Sequence, residues 1–181
     1  MPPLTIVPAL ARLRGAGAGA APLTGTSEVW ALVRFDYDNT KMEIFWSEKN
    51  VAGASTVDST GARAYGSHAE PVFLRNYTQM VADYGVPLFI EVFLSRSPCA
   101  NGSAITAAHG VGYPVGCGPK LRAFAAAHPA VTVQVIYDVV YAGNPAAPSL
   151  AVQAASLNEL SQWAGIANLT ASLFNHYTLV P

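Results

Sequence analysis

Charge is scarce in this 181-residue chain: Asp, Glu, Lys and Arg make up 12% of it, and the formal net charge is -1. A protein that grips nucleic acid mainly by neutralising phosphates carries a basic excess. Tight non-specific binding of that kind is therefore excluded, whereas a local groove around one extruded base is not. Cysteine is scarcer still, with only Cys99 and Cys117. Two thiols rule out a closed zinc site of four cysteines, or of three cysteines and a histidine, within one chain. They leave room for one disulfide closing a Gly/Ala-rich loop, or for a metal site that keeps a position open. No apolar run is long enough to cross a bilayer, and no basic stretch precedes an apolar core at the amino end, as a secretory signal requires. The expectation is a monomer without a membrane partner. Apolar residues are abundant at 51%, enough for one domain with a sizeable core.

Residues 1–27 alternate Gly and Ala and hold Pro2, Pro3, Pro8 and Pro22, which reads as a flexible leader or linker ahead of a folded domain spanning 28–181. From Val29 the texture changes. Val29–Phe35 and Met42–Trp46, separated by the turn chemistry of Asp36-Tyr37-Asp38-Asn39-Thr40, predict a β-hairpin. Lys49–Ser67 reads as a loop. Phe73, Tyr77, Met80 and Tyr84 repeat at helical spacing and predict a core-packed helix from His68 to about Gly85. Leu88–Leu94 is a near-continuous apolar run broken by Glu91, fit for a central strand. A helix over Gly116–His128 with Leu121, Phe124 and Ala125 inward follows, then a strand over Val131–Tyr141. A Pro-rich linker, an amphipathic helix over Leu150–Trp163 using Leu150, Ala154, Leu157 and Leu160, and a strand within Leu169–Leu179 complete the chain. This order predicts an α/β fold: a three-layer α/β/α sandwich around a mixed five-stranded sheet, with helices on both faces.

The chemistry sits in His68-Ala69-Glu70 and in Ser95-Arg96-Ser97-Pro98-Cys99, with Cys117 beyond. A histidine and two thiolates can hold Zn2+ with one position open, the arrangement of catalytic and not structural zinc. Zinc lowers the pKa of a bound water toward neutrality, and Glu70 lies close enough in sequence to His68 to move that water's protons. Both His68 and Cys117 fall at predicted helix amino ends, where partial positive charge favours thiolate over thiol. Cys99 falls at the carboxyl end of a strand, where open α/β sheets place their sites.

H-x-E followed by P-C and a second cysteine resembles the signature of zinc-dependent nucleobase deaminases, H-x-E…P-C-x-x-C. HAE, then a strand, then SRSPC is similar to the cytidine deaminase-like superfamily, in particular to its AID/APOBEC branch. The wider run EVFLSRSPC…GCGPKLRAFAAAHPAVTVQVIYDVVY is similar to the deaminases of bacterial polymorphic toxin systems. The resemblance covers about Glu28 to Pro181. It implies His68, Cys99 and Cys117 as ligands of Zn2+, Glu70 as the proton shuttle, and conversion of cytosine to uracil in single-stranded DNA or RNA. It also implies a domain that acts in a cytoplasm after delivery as a secreted toxin, with a cognate immunity protein as partner. A helix between the last two strands makes them parallel, which the resemblance associates with members acting on nucleic acid. One departure stands out: seventeen residues separate Cys99 from Cys117 where the signature has two. That excursion holds four glycines, one proline and no charge, so it can loop out and return at modest entropic cost, as a neutral flap beside the metal.

Candidate substrate contacts are Ala69, Arg96 and Ser97 within the motifs, Tyr65 as a stacking surface, and Asn50 in the preceding loop for a sugar. His109, inside the excursion, is an alternative ligand to Cys117, and His128 and His176 read as surface or cap residues. Near-neutral charge and only three lysines favour another substrate class, free nucleosides or nucleotides. A disulfide-stapled, non-catalytic α/β binding module is the remaining alternative.

Overall fold

The computed structural model describes residues 5–15, 29–47, 68–100, 116–143 and 147–180, together with the backbone of 56–57 and 63–64. In chain order the elements are α1 (Ile6–Leu13), β1 (Trp30–Phe35), β2 (Met42–Trp46), β3 (Thr56–Val57), β4 (Arg63–Ala64), α2 (Ala69–Tyr84), β5 (Phe89–Arg96), α3 (Cys117–Ala127), β6 (Thr132–Val139), α4 (Leu150–Ser161) and β7 (Leu169–Leu173). Five strands form a mixed sheet in the order β2-β1-β5-β6-β7. β1 is antiparallel to both its neighbours, and β5, β6 and β7 run parallel. The expected α/β architecture is present, and its parallel half delivers the carboxyl ends of β5 and β6 to one edge.

Alternation along the strands assigns the two faces. Ala31, Val33, Ile90, Val92, Leu94, Val133 and Val135 pack under α2 and α3 and beside Trp163. Phe73, Tyr77 and Met80 of the predicted aromatic stripe are buried there, with Leu121, Phe124 and Ala125 from α3. Trp30, Leu32, Phe93 and Ile136 point the other way.

The cover of that second face differs from the sequence reading. Ile6–Leu13, within the segment read as a flexible leader, is a helix whose Ile6, Ala9, Leu10 and Leu13 are buried against the sheet. Those four positions follow the i, i+3, i+4, i+7 pattern, which the flanking Gly and Pro residues obscured. Pro8 falls in the first turn, where a missing N–H breaks no helical bond. Arg14 pairs with Asp138 at 2.9 Å and lies over the Phe174 ring, tying the helix to the end of β6. Beneath it, the Glu91 that interrupts the central strand is fully buried with Arg34. Arg34 also donates to Asn39 Oδ1 at 3.1 Å and to the Val180 carbonyl at 2.7 Å, and Tyr177 donates to Glu91.

Two further differences concern the last third of the chain. Of the stripe expected to face inward on α4, only Leu160 packs against the core: Ala154 is exposed, Leu150 is 83% and Leu157 49% exposed, while Ser156 and Glu159 are buried. Glu159 accepts two hydrogen bonds from Arg122, at 2.7 and 3.1 Å, and one from Trp163 Nε1 at 3.1 Å, so its charge is compensated inside. The final strand ends at Leu173, where Phe174–His176 turns into a short 3-10 helix. Lys49–Ser67, read as a loop, contains the antiparallel pair β3 and β4.

Candidate metal centre

Three segments converge at the carboxyl edge of β5. Two of them are helix starts built alike. His68 caps α2 and Gly116 caps α3, and each helix carries a proline at its third position, Pro71 and Pro119. Proline is suited to a first turn because no intrahelical partner awaits its nitrogen. Gly116 has φ 92, a left-handed conformation that glycine adopts without strain, and it turns the returning chain into α3. The third segment is the loop directly after β5, which carries Cys99.

The seventeen-residue excursion is closed at its base by the backbone. Gly118 N donates to the Cys99 carbonyl at 3.0 Å, and Cys117 N donates to Cys99 Sγ at 3.4 Å. These contacts hold the two ends of the excursion together. Cys99 Sγ and Cys117 Sγ lie 3.4 Å apart, and His68 Nδ1 is 3.5 Å from the first and 3.3 Å from the second. Both thiols are free.

This triangle suits zinc. With Zn–S near 2.3 Å and Zn–N near 2.0–2.1 Å, tetrahedral geometry sets S···S at about 3.8 Å and S···N at about 3.6 Å. The observed edges are within a few tenths of an ångström of those values. A disulfide would need no imidazole at the third corner. Beside the triangle, Glu70 is buried, and its Oε2 has no hydrogen-bond partner among the described residues. An orphaned acceptor of that kind is what a water held next to the metal would serve.

The electrostatics follow from burial and charge. Burial pushes the Glu70 carboxyl up to about 7, against the opposing pull of His68. Cys99 is drawn down to about 4, first by the hydrogen bond from Cys117 and then, against burial, by His68. Cys117, buried and facing the anionic Cys99 and Glu70, goes well above the usual thiol range. For His68, burial disfavours the charge, but the bond to Cys99 and the field of Glu70 outweigh it and raise the pKa. Lys120, one turn along α3 from Cys117, is also buried. Burial lowers its pKa, while Cys117, Cys99 and Glu70 oppose that change.

A small cavity of about 20 Å³ opens onto Glu70 and His68, walled by Val29, Arg96, Ser97 and Tyr141. That is about the room one water molecule takes. Across Tyr141 and Cys99 lies a cleft of about 180 Å³, lined by small side chains including Gly143, Val152, Ala155 and Ser156. A larger groove of about 300 Å³ beside Trp163 and β7 holds none of these groups.

His68, Glu70, Cys99 and Cys117 are thus brought together. Arg96 and Ser97 line the small cavity, and Ser97 Oγ accepts the Tyr141 N–H at 2.9 Å, which ties the end of β6 to the loop after β5. Ala69 is wholly buried and its methyl belongs to the core. Asn50, Tyr65 and His109, with most of the excursion, lie outside the described residues. His128 caps α3 through the Phe124 carbonyl at 2.8 Å, and His176 is exposed. Sequence reasoning missed Tyr141, whose ring centroid is 5.7 Å from that of His68. Its signal was its position just past the carboxyl end of a strand parallel to β5.

No protein-family model matches the chain, and no curated protein matches its sequence. Among solved structures, the chain is similar to the crystal structure of a dCMP deaminase from the cyanophage S-TIM5 in complex with dCMP and dUMP. The identity is 16%, the match covers 83% of each chain, and the TM-score is 0.41.

Proposed function

We propose that this chain is a zinc-dependent hydrolytic deaminase that converts cytosine to uracil in single-stranded nucleic acid, DNA foremost. The observation that carries the reading is the triangle of His68 Nδ1, Cys99 Sγ and Cys117 Sγ with buried Glu70 beside it. These three side chains would hold the metal and leave its fourth position open. A zinc ion there supplies the Lewis acidity that makes water a nucleophile at neutral pH.

The chain's own residues account for the protons. Hydrolytic deamination adds water across the C4–N3 bond of the base and releases the exocyclic nitrogen as ammonia. One proton must reach the ring nitrogen and another the departing amine. Glu70 can carry both, because its buried carboxyl stands beside the triangle with Oε2 left free of any partner among the described residues to take and return a proton. The approach to Glu70 is bounded by the Tyr141 ring and by Arg96, a flat surface and a cation suited to a base and its phosphate. Excluding bulk water from so narrow a space protects the proton path.

The nucleic-acid substrate is supported by the SRSPC segment and by the parallel β6–β7 pair. The net charge of -1 favours a second reading, a free nucleoside or nucleotide gripped by few contacts. Both are tested by one panel: single-stranded DNA, duplex DNA, RNA, cytidine and its monophosphate, each with the wild-type protein and the Glu70→Gln variant. Uracil formation in single-stranded DNA that Glu70→Gln abolishes is the expected result. Turnover of the free compounds alone would move the assignment to the second reading, and no turnover of any substrate by zinc-loaded protein would overturn both.

A further inference from the structure

We propose that Glu159, on α4, is a positioning residue for Cys117. This rests on the reading of Cys117 as a zinc ligand. Glu159 is 4% exposed and lies directly over Gly118, the residue after that cysteine. A Cβ added to Gly118 would fall 2.3 Å from Glu159 Cγ and 2.9 Å from its Oε1, so no larger residue fits without moving the glutamate. The glutamate is itself held from the far side. Arg122, one turn further along α3, donates to both carboxylate oxygens, and Trp163 Nε1 donates to Oε1. The carboxylate therefore bridges the first and second turns of α3 from outside the helix.

Two locally unfavourable choices coincide at this point. Glycine in a helical turn is an entropically unfavourable choice that offers no side chain to pack, and a buried carboxylate needs full compensation. Together they bring α4 into contact with the backbone of α3 at its amino end. Gly118 and Cys117 tie that end to the other ligand loop: Gly118 N donates to the Cys99 carbonyl, and Cys117 N to Cys99 Sγ. Glu159 thus closes from one side what Cys99 closes from the other. The arrangement fixes where Cys117 Sγ lies relative to His68 although the intervening chain makes a long excursion.

The test measures zinc affinity by chelator competition, and alkylation of Cys117 relative to Cys99 in zinc-free, reduced protein. Both are read at a temperature where every variant is folded. Glu159→Ala is expected to weaken zinc binding about tenfold, the lower end for groups that orient metal ligands, and to raise the Cys117 alkylation ratio. Glu159→Gln, which keeps the atoms over Gly118, restores both values. Leu160→Ala, a core contact on the same helix, lowers stability and moves neither. Should Glu159→Ala fail to fold, Gly118→Ala is the second probe, expected to shift both readouts in the same direction. Wild-type affinity and alkylation in folded Glu159→Ala or Gly118→Ala would overturn the proposal. So would equal shifts in Leu160→Ala, which would leave Glu159 only a structural role. A wild-type protein that binds no zinc would remove the metal reading, and the alkylation ratio would still decide the role of Glu159.

Discussion

Replacing Glu70 by Gln removes one charge from a buried site while keeping its shape, and the structure fixes what should follow. In the zinc-free protein, burial raises the Glu70 pKa from its ordinary 4.5 to about 7. Each pKa unit corresponds to about 1.36 kcal/mol, so the charged carboxylate destabilises the folded state by about 3 kcal/mol. The unfolded chain releases this proton near pH 4.5 and the folded one near pH 7. Between those values the folded state holds more protons, and stability falls as pH rises. From about pH 5 to about pH 8 the loss attributable to Glu70 is on the order of 2–3 kcal/mol. Urea unfolding of both proteins, with chelator and reductant present, should show wild type losing that much more stability across the range than Glu70→Gln. The zinc-loaded variant should keep its metal and lose deamination by about 10²–10⁴-fold, the usual contribution of a general acid–base. Parallel pH–stability curves would refute the burial argument, and retained turnover would remove Glu70 from proton transfer.

Other perturbations test the frame that holds the site. Arg34→Leu leaves Glu91 buried without its ion-pair partner and should destabilise by about 3–5 kcal/mol in chemical unfolding. Leu10→Ala, in the helix on the second sheet face, should destabilise by about 2–5 kcal/mol; no effect would mean that α1 does not cover the sheet in solution. Zinc at about a thousandfold above its dissociation constant should stabilise the folded protein by about 4 kcal/mol. Cys117→Ser should remove most of that gain when both proteins are unfolded thermally with and without zinc.

The convergence of the candidate site was largely legible because its residues sit in short local motifs. His68 and Glu70 share a helix start, and Cys99 follows a strand, so motif and element agreed before any geometry was known. Cys117 was legible by its place at a helix start and as the one other thiol in the sequence. Two backbone N–H groups reach across the excursion to Cys99, that of Gly118 to its carbonyl and that of Cys117 to its Sγ, and the sequence does not announce either bond. The fold's parallel half was readable from alternating strands and helices. α1 was not, because glycines and prolines around it masked a four-residue apolar stripe. The inward face of α4 was misread for a different reason. Glu159 looks like a solvent residue until Arg122, 37 positions earlier in the chain, and Trp163, one turn further on, compensate its charge. Tyr141 escaped notice since only the packing of β6 beside β5 brings its ring to His68.

Metal analysis of the purified, reduced protein, with the oxidation state of its two cysteines determined on the same sample, bears most directly on the central claim. The triangle of His68, Cys99 and Cys117 predicts one zinc per chain with both thiols unbonded. A chain without zinc, its Cys99 and Cys117 joined as a disulfide, would contradict the metal centre and with it the deaminase.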